Sequence, residues 1–266
     1  MQIDVEHRLS WEAVLALTSA ILLLSNEFGY RFGLRHSTES IESKKAQAGV
    51  IQGALLALLG LLLAFSFHIA ESRFSTRKLL LREEANAIRT AYMRAEMLPE
   101  PDRDRVEPLL REYVTLRIAP STPEAISQAI ERSEVLQGAL WDEAVRVGRD
   151  RPESMVMQLF VESLDEILDL HESRVTVGLY QRLPRPILTM LYTLSILTIS
   201  LIGWSSGLTR RRVLTPTVAV ILAISAVIML IIELDRPTGT LFHVSTRAME
   251  DVQRTLMQHQ APAAKD

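Results

Sequence analysis

Four long apolar runs limit what this chain can fold into. Between Lys45 and Glu71 lie 25 residues without a formal charge, between Arg185 and Arg210 lie 24, and Val213 to Ile232 adds 20 more. Each is long enough, at about 1.5 Å of rise per helical residue, to cross a hydrocarbon core of about 30 Å. A fourth run, Ala13 to Leu24, is apolar apart from Thr18 and Ser19, and its extension to Tyr30 takes in Asn26 and Glu27. It reads as a span as well. The opening residues MQIDVEHR carry acids in place of a basic leader and no small-residue cleavage site follows, so this run is not read as a secretory signal.

The spans fall near 10–30, 46–70, 187–208 and 213–235, two pairs separated by a polar insertion. In RKLLLREEANAIRTAYMRAEM the apolar residues Leu80, Leu81, Ala85, Ile88, Tyr92 and Ala95 keep helical spacing, so the second span is expected to run on out of the bilayer as one long helix. Two prolines in LPEPD end it. Ser121 with Glu124 and Asp150 with Glu153 have capping-box spacing, which predicts helices near 76–97, 102–118, 122–147 and 152–182. Val244, Ala248, Val252 and Leu256 recur every fourth residue and predict a short C-terminal amphipathic helix ahead of a loose tail.

The expected fold is therefore all-α: an integral membrane protein with four transmembrane helices and a helical extramembrane domain inserted between spans 2 and 3. Its expected divisions are a first transmembrane pair over 1–70, the helical domain over 71–185, a second pair over 186–237, and a C-terminal helix and tail over 238–266. Basic residues flank both ends of the spans and pull orientation both ways. The net charge of −3 over 266 residues gives no reason to expect a nucleic-acid partner. With no cysteine, thiol redox chemistry and thiolate metal sites are excluded.

On a helical projection of GVIQGALLALLGLLLAFSFHIAESRF, Gly49, Gly53, Leu56, Gly60, Ala64, Phe67 and Glu71 share one narrow face. Small residues at this spacing let a second helix approach closely, which is one reading. The other is that several copies of the face surround a pore, with Leu56 or Phe67 as an apolar constriction and Glu71 at its mouth. His68 lies off that face and reads as a packing residue. ELDRP closes the last span, and its Glu233, Asp235 and Arg236 read either as ion pairs at the membrane edge or as charges beside a pore entrance. ESLDEILDLHESR places Glu162, Asp165, Glu166 and Asp169 on one face, a possible oxygen-rich cation site against which salt bridges to arginines of the long helix compete. No phosphate-binding loop, zinc motif or nucleophile elbow is present, so neither catalysis nor a cofactor is expected.

The second-span segment with LLREEANAIRTAYMRAEMLPEP, LDEILDLHESR, RLP and ELDRPTGTLFHVS resembles a family of membrane proteins labelled bestrophin-like, over nearly the whole chain from about Gly49. The resemblance implies the layout of bestrophins, pentameric anion channels with four spans and a helical cytoplasmic region between the second and third. It implies a homo-oligomer in the lipid bilayer of the plasma (inner) membrane, a permeant inorganic ion, and a cytoplasmic insertion and termini. No counterpart of the acidic calcium clasp of those channels is present, and Arg89 stands where a small residue is expected.

Overall fold

In a computed structural model, residues 10–35, 41–118, 122–237 and 241–258 are described, the side chains of 41–45, Pro123 and Tyr180 excepted. The elements are α1 (Trp11–Arg35), α2 (Ile41–Ala95), α3 (Asp102–Arg117), α4 (Pro123–Asp150), α5 (Met155–Val175), α6 (Arg185–Leu208), α7 (Leu214–Asp235) and α8 (Arg247–Gln258). A π-helical turn, Thr176–Tyr180, extends α5. The all-helical expectation holds, and α1, α2, α6 and α7 are long and apolar enough to cross a membrane.

The chain divides into two compact units, and the division falls inside α2, between Phe74 and Ser75. Unit 1 holds α1, the first part of α2, α6 and α7. Its core is built from Leu22, Leu59, Leu63, Leu191, Ile199, Ile221, Ile228 and Ile231, with Leu55, Ile69 and Phe74 packed around them. At one edge the Phe74 and Phe242 rings meet edge to face, 6.2 Å between centroids.

The α1–α6 contact is the tightest in unit 1. A Cβ added at Gly29 would overlap the carbonyl oxygen of Ser200, at Gly33 that of Trp204, at Gly203 that of Asn26 and at Gly207 that of Tyr30. Two G-x-x-x-G pairs thus interlock backbone to backbone, and residue numbers rise together on both helices, so α1 and α6 run parallel. Cross-bonds reinforce the contact: Asn26 Nδ2 donates to the Ile199 carbonyl at 3.3 Å and the Ser200 hydroxyl to the Ser25 carbonyl at 3.2 Å. Thr18 and Tyr192 hydroxyls meet at 3.0 Å.

Unit 2 packs one apolar stripe from each helix into a common core: Leu81, Ile88 and Tyr92 of α2, Val106, Leu110 and Val114 of α3, Leu136, Leu140 and Val147 of α4, Phe160, Leu164 and Ile167 of α5. Residues 238–266, set apart in the sequence reading, supply α8 to this same core through Met249, Val252 and Leu256. Val244 lies ahead of that helix, and both it and Ala248 are partly buried against the same core, so all four residues of the expected stripe face it while the helix itself starts only at Arg247.

The caps differ from the capping boxes read in the sequence. Ser121 lies outside the described residues, and the α4 cap is Thr122, whose hydroxyl accepts from the Ala125 N–H at 3.2 Å with Pro123 following at the first helical position. Asp150 is not a cap at all. It ends α4, and α5 starts at Met155 with Ser154 accepting from the Met157 N–H at 3.3 Å. A residue still in helical conformation cannot adopt the extended backbone of a cap, so Asp150 does not cap α5, and Glu153, in the turn ahead of that helix, has no capping box to complete. The helix expected over 152–182 is accordingly shorter, and its end relaxes into the π turn.

Candidate functional site

Along α2, Gly49, Gly53, Gly60, Ala64, Phe67 and Glu71 are exposed and Leu56 is half-buried. Nothing lies within 4 Å of a Cβ built at Gly49, Gly53 or Gly60. These glycines contrast with the four in the α1–α6 contact, where no side chain fits. The core-facing side of the same helix is offset, carrying Leu59, Leu63, Ser66 and Ala70. Val50, Leu61 and Phe65, also exposed, continue the open side around the helix, and His68 is exposed with them.

Glu233, Asp235 and Arg236 are all engaged in polar contacts, Glu233 with Arg236 and Asp235 with Leu183 and Arg73. The Glu233 side chain is 0% exposed, accepts from Arg236 Nη1 at 2.8 Å and takes the Leu241 N–H at 3.2 Å. Both Asp235 oxygens accept the Leu183 N–H, at 2.9 and 3.0 Å, while Arg73 Nη1 approaches at 3.3 Å. A carboxylate at a membrane edge is costly unless it is paired and hydrogen-bonded, and here both are. This cluster ties the end of α7 to the chain leading into α6.

The acidic face of α5 lines an open groove of about 610 Å³, where Glu162, Asp165, Glu166 and Asp169 are joined by Glu83 and Arg94. Arg94 Nη1 donates to the Leu159 carbonyl and lies 3.5 Å from Glu162, a bridge from the long helix of the kind the sequence anticipates. Among the described residues no three acidic or histidine side chains converge as metal ligands.

A polar cluster not anticipated from the sequence sits at the centre of unit 2. Glu84 is 0% exposed; its Oε1 lies 2.9 Å from Arg117 Nε, and its Oε2 forms an ion pair with Arg174. The Tyr113 hydroxyl donates to Glu84 Oε1 at 3.1 Å, accepts from Gln137 Nε2 at 3.1 Å, and lies 3.3 Å from His171 Nδ1. Burial pushes the Glu84 carboxyl up, but the charges of Arg174 and Arg117 and their hydrogen bonds outweigh it and hold it below the usual carboxylate range. Burial, seconded by Arg117, pushes His171 down to about 4 and keeps it neutral near pH 7. Tyr113 is pushed up by burial and by Glu84.

The signal for this cluster was in the chain. Glu84 falls on the stripe Leu81, Ile88, Tyr92; Arg117 on Val106, Leu110, Tyr113; His171 and Arg174 on Phe160, Leu164, Ile167. Charges on apolar stripes must find one another, because an unpaired buried charge is too costly to keep.

The sequence profile of the Bestrophin-like domain matches residues 16–249. No curated protein matches the chain. Among solved structures, a point variant of a bacterial bestrophin homologue from Klebsiella pneumoniae is similar, with a TM-score of 0.65 at 16% identity over 94% of this chain and 98% of that one. A second structure of the Klebsiella pneumoniae homologue, phased on zinc, gives 0.63 at 17% identity over 92% and 96%. At such identity the likeness establishes a common fold, and the apolar helices together with that fold make this a membrane protein. With the profile match spanning most of its length, the chain belongs to the Bestrophin-like domain family.

Proposed function

We propose that the protein is an oligomeric ion channel in which α2 from each copy surrounds a common axis. The observation that carries this reading is the open face of α2. Six of the seven stripe residues are exposed, in a helix whose glycines have room for a neighbour. Four spans leave little room for a pore within one protomer, so in this reading water crosses where several copies of that stripe meet. Phe67 and Leu56 would then form an apolar constriction and Glu71 a charged ring at its end.

Family likeness argues for five copies in the plasma (inner) membrane, with the inserted helices and both termini cytoplasmic. It argues for anions as the permeant species, whereas an acidic ring at Glu71 argues for cations. Reversal potentials under a salt gradient, wild type against Glu71→Gln, separate the two. The glycine spacing supports a second reading, in which the stripe is a packing surface in a non-conducting scaffold and the helical unit binds a partner. The mass of the detergent-purified particle tests the assembly on which the pore depends. A particle of several copies is expected, and a stable monomer at all protein concentrations rejects the pore.

A further inference from the structure

One end of unit 1 is strongly basic. Arg31 and Arg35 stand in the last turns of α1, and Arg210, Arg211 and Arg212 form the short link from α6 to α7. Because α1 and α6 run parallel in the register set by their glycines, all five arginines belong to the same end. Arg212 confirms the juxtaposition, lying 3.0 Å from Glu27 of α1 and 4.3 Å above the Tyr30 ring.

Glu27 is shared by Arg212 and Arg31, the latter at 2.8 Å, so one carboxylate faces two guanidiniums. No acidic side chain among the described residues pairs with Arg35, Arg210 or Arg211. Five arginines against Glu27 leave four positive charges in excess, and by sequence the stretch 36–45 that follows α1 changes nothing, since Glu39 and Glu42 cancel Lys44 and Lys45. Arg210 also holds a φ of 53°, a left-handed conformation that glycine or asparagine adopts more cheaply, so the tight link carries an arginine at a backbone cost.

The surroundings locate this end at the membrane–water boundary. Phe28 and Phe32 are exposed on α1 beside Arg31 and Arg35, Trp204 lies one turn before the end of α6, and Val213 and Leu214 are exposed next to the arginines. Aromatic rings and apolar side chains just below a layer of guanidiniums match the depth at which lipid phosphates meet acyl chains. Arginine binds phosphate oxygens through paired N–H donors, which suits a diester phosphate held at that depth.

We propose that this arginine-rich end of unit 1, formed by Arg31, Arg35, Arg210 and Arg211, binds the phosphate headgroups of anionic glycerophospholipids. Arg212 is largely engaged with Glu27 and Tyr30 and orients the link. The lipid is bound in preference to a zwitterionic one because the latter brings its own ammonium, which the arginines repel.

Trp204 serves as a local reporter. The full-length protein with Trp11→Phe and Trp141→Phe retains it as the single tryptophan, and is reconstituted with phosphatidylglycerol or phosphatidylcholine carrying brominated acyl chains, which quench tryptophan on contact. Brominated phosphatidylglycerol is expected to outcompete brominated phosphatidylcholine about five-fold or more, on the order of one arginine's attraction to an anionic surface, and the preference falls as salt rises. Replacing the four arginines by glutamine should remove the preference; replacing them by lysine should retain most of it and controls for folding. Inorganic phosphate at constant ionic strength should not compete. Equal quenching by the two lipids in the wild-type arginine background, a salt-independent preference, a preference that survives the glutamine set, or one erased by free phosphate would each overturn the proposal.

Discussion

Glu84 and Arg117 lie 2.9 Å apart in the core of the helical unit, with their side chains 0% and 7% exposed. The pair joins α2 to α3, and Arg174 of α5 closes on the same carboxylate. Removing the acid leaves two guanidiniums in a core with no counter-charge. Glu84→Ala is therefore expected to destabilise unit 2 by about 3–5 kcal/mol, the range for breaking a buried pair from one side. Hydrogen exchange on α3 and α5 in the full-length protein checks this; protection equal to wild type in both helices would contradict it.

Protonation of His171 should weaken the same core. In the unfolded chain the imidazole titrates near 6.5 and in the folded protein at about 4. Between those values the unfolded state binds more protons, so this contribution is intact above pH 6.5 and is lost as pH falls toward 4, by at most about 3 kcal/mol. The carboxyl of Glu84, held low, adds a loss of the same sign at lower pH, as the medium approaches its folded-state titration. Thermal midpoints of unit 2 helices across pH 4–7 should fall toward acid for the wild type and flatten for His171→Gln. An unchanged slope in the variant would assign the acid sensitivity elsewhere.

The glycines of α1 and α6 should behave oppositely to those of α2. Gly29→Ala or Gly203→Ala places a methyl against a backbone carbonyl that cannot rotate away, so each should cost about 1–3 kcal/mol or more, or abolish expression of folded protein. Gly53→Ala and Gly60→Ala meet open space in the protomer and should leave its fold intact while altering assembly or flux. Comparison of detergent melting temperatures with particle mass separates the two effects.

Asp235→Asn keeps the shape but loses the charge that both accepts the Leu183 N–H and faces Arg73. A loss of roughly 1–3 kcal/mol is expected, typical of a charged hydrogen bond at a partly buried position. Increased proteolysis between Gln181 and Pro184 would register the released segment; wild-type resistance there would argue that the bonds are dispensable.

The spans were legible because three charge-free runs and one shorter apolar run are long enough to cross a bilayer, and the helical insertion because its apolar residues keep helical spacing. Helix starts were less legible. Thr122 and Ser154 compete with neighbouring Ser121 and Asp150 for the cap, and spacing to the next acid does not tell which residue leaves the helical backbone. The central polar cluster and the glycine interlock have clear sequence signatures, Glu84 and Arg117 on apolar stripes and two G-x-x-x-G pairs at Gly29 and Gly203. Which stripe meets which is a property of three-dimensional packing, and no single-helix pattern encodes it. The α2 stripe was read as one face, six of its seven residues are exposed, and the pore proposed above would need other copies of the chain.

The most direct test of the channel reading is ion flux through the purified protein in liposomes, wild type beside Phe67→Ala and Glu71→Gln. The pore on the α2 stripe predicts flux above protein-free vesicles, a higher rate when the Phe67 ring is removed, and a changed anion-to-cation ratio when Glu71 is neutralised. Background flux in all three, from protein shown to be folded and oligomeric, would contradict it and leave the stripe a packing surface.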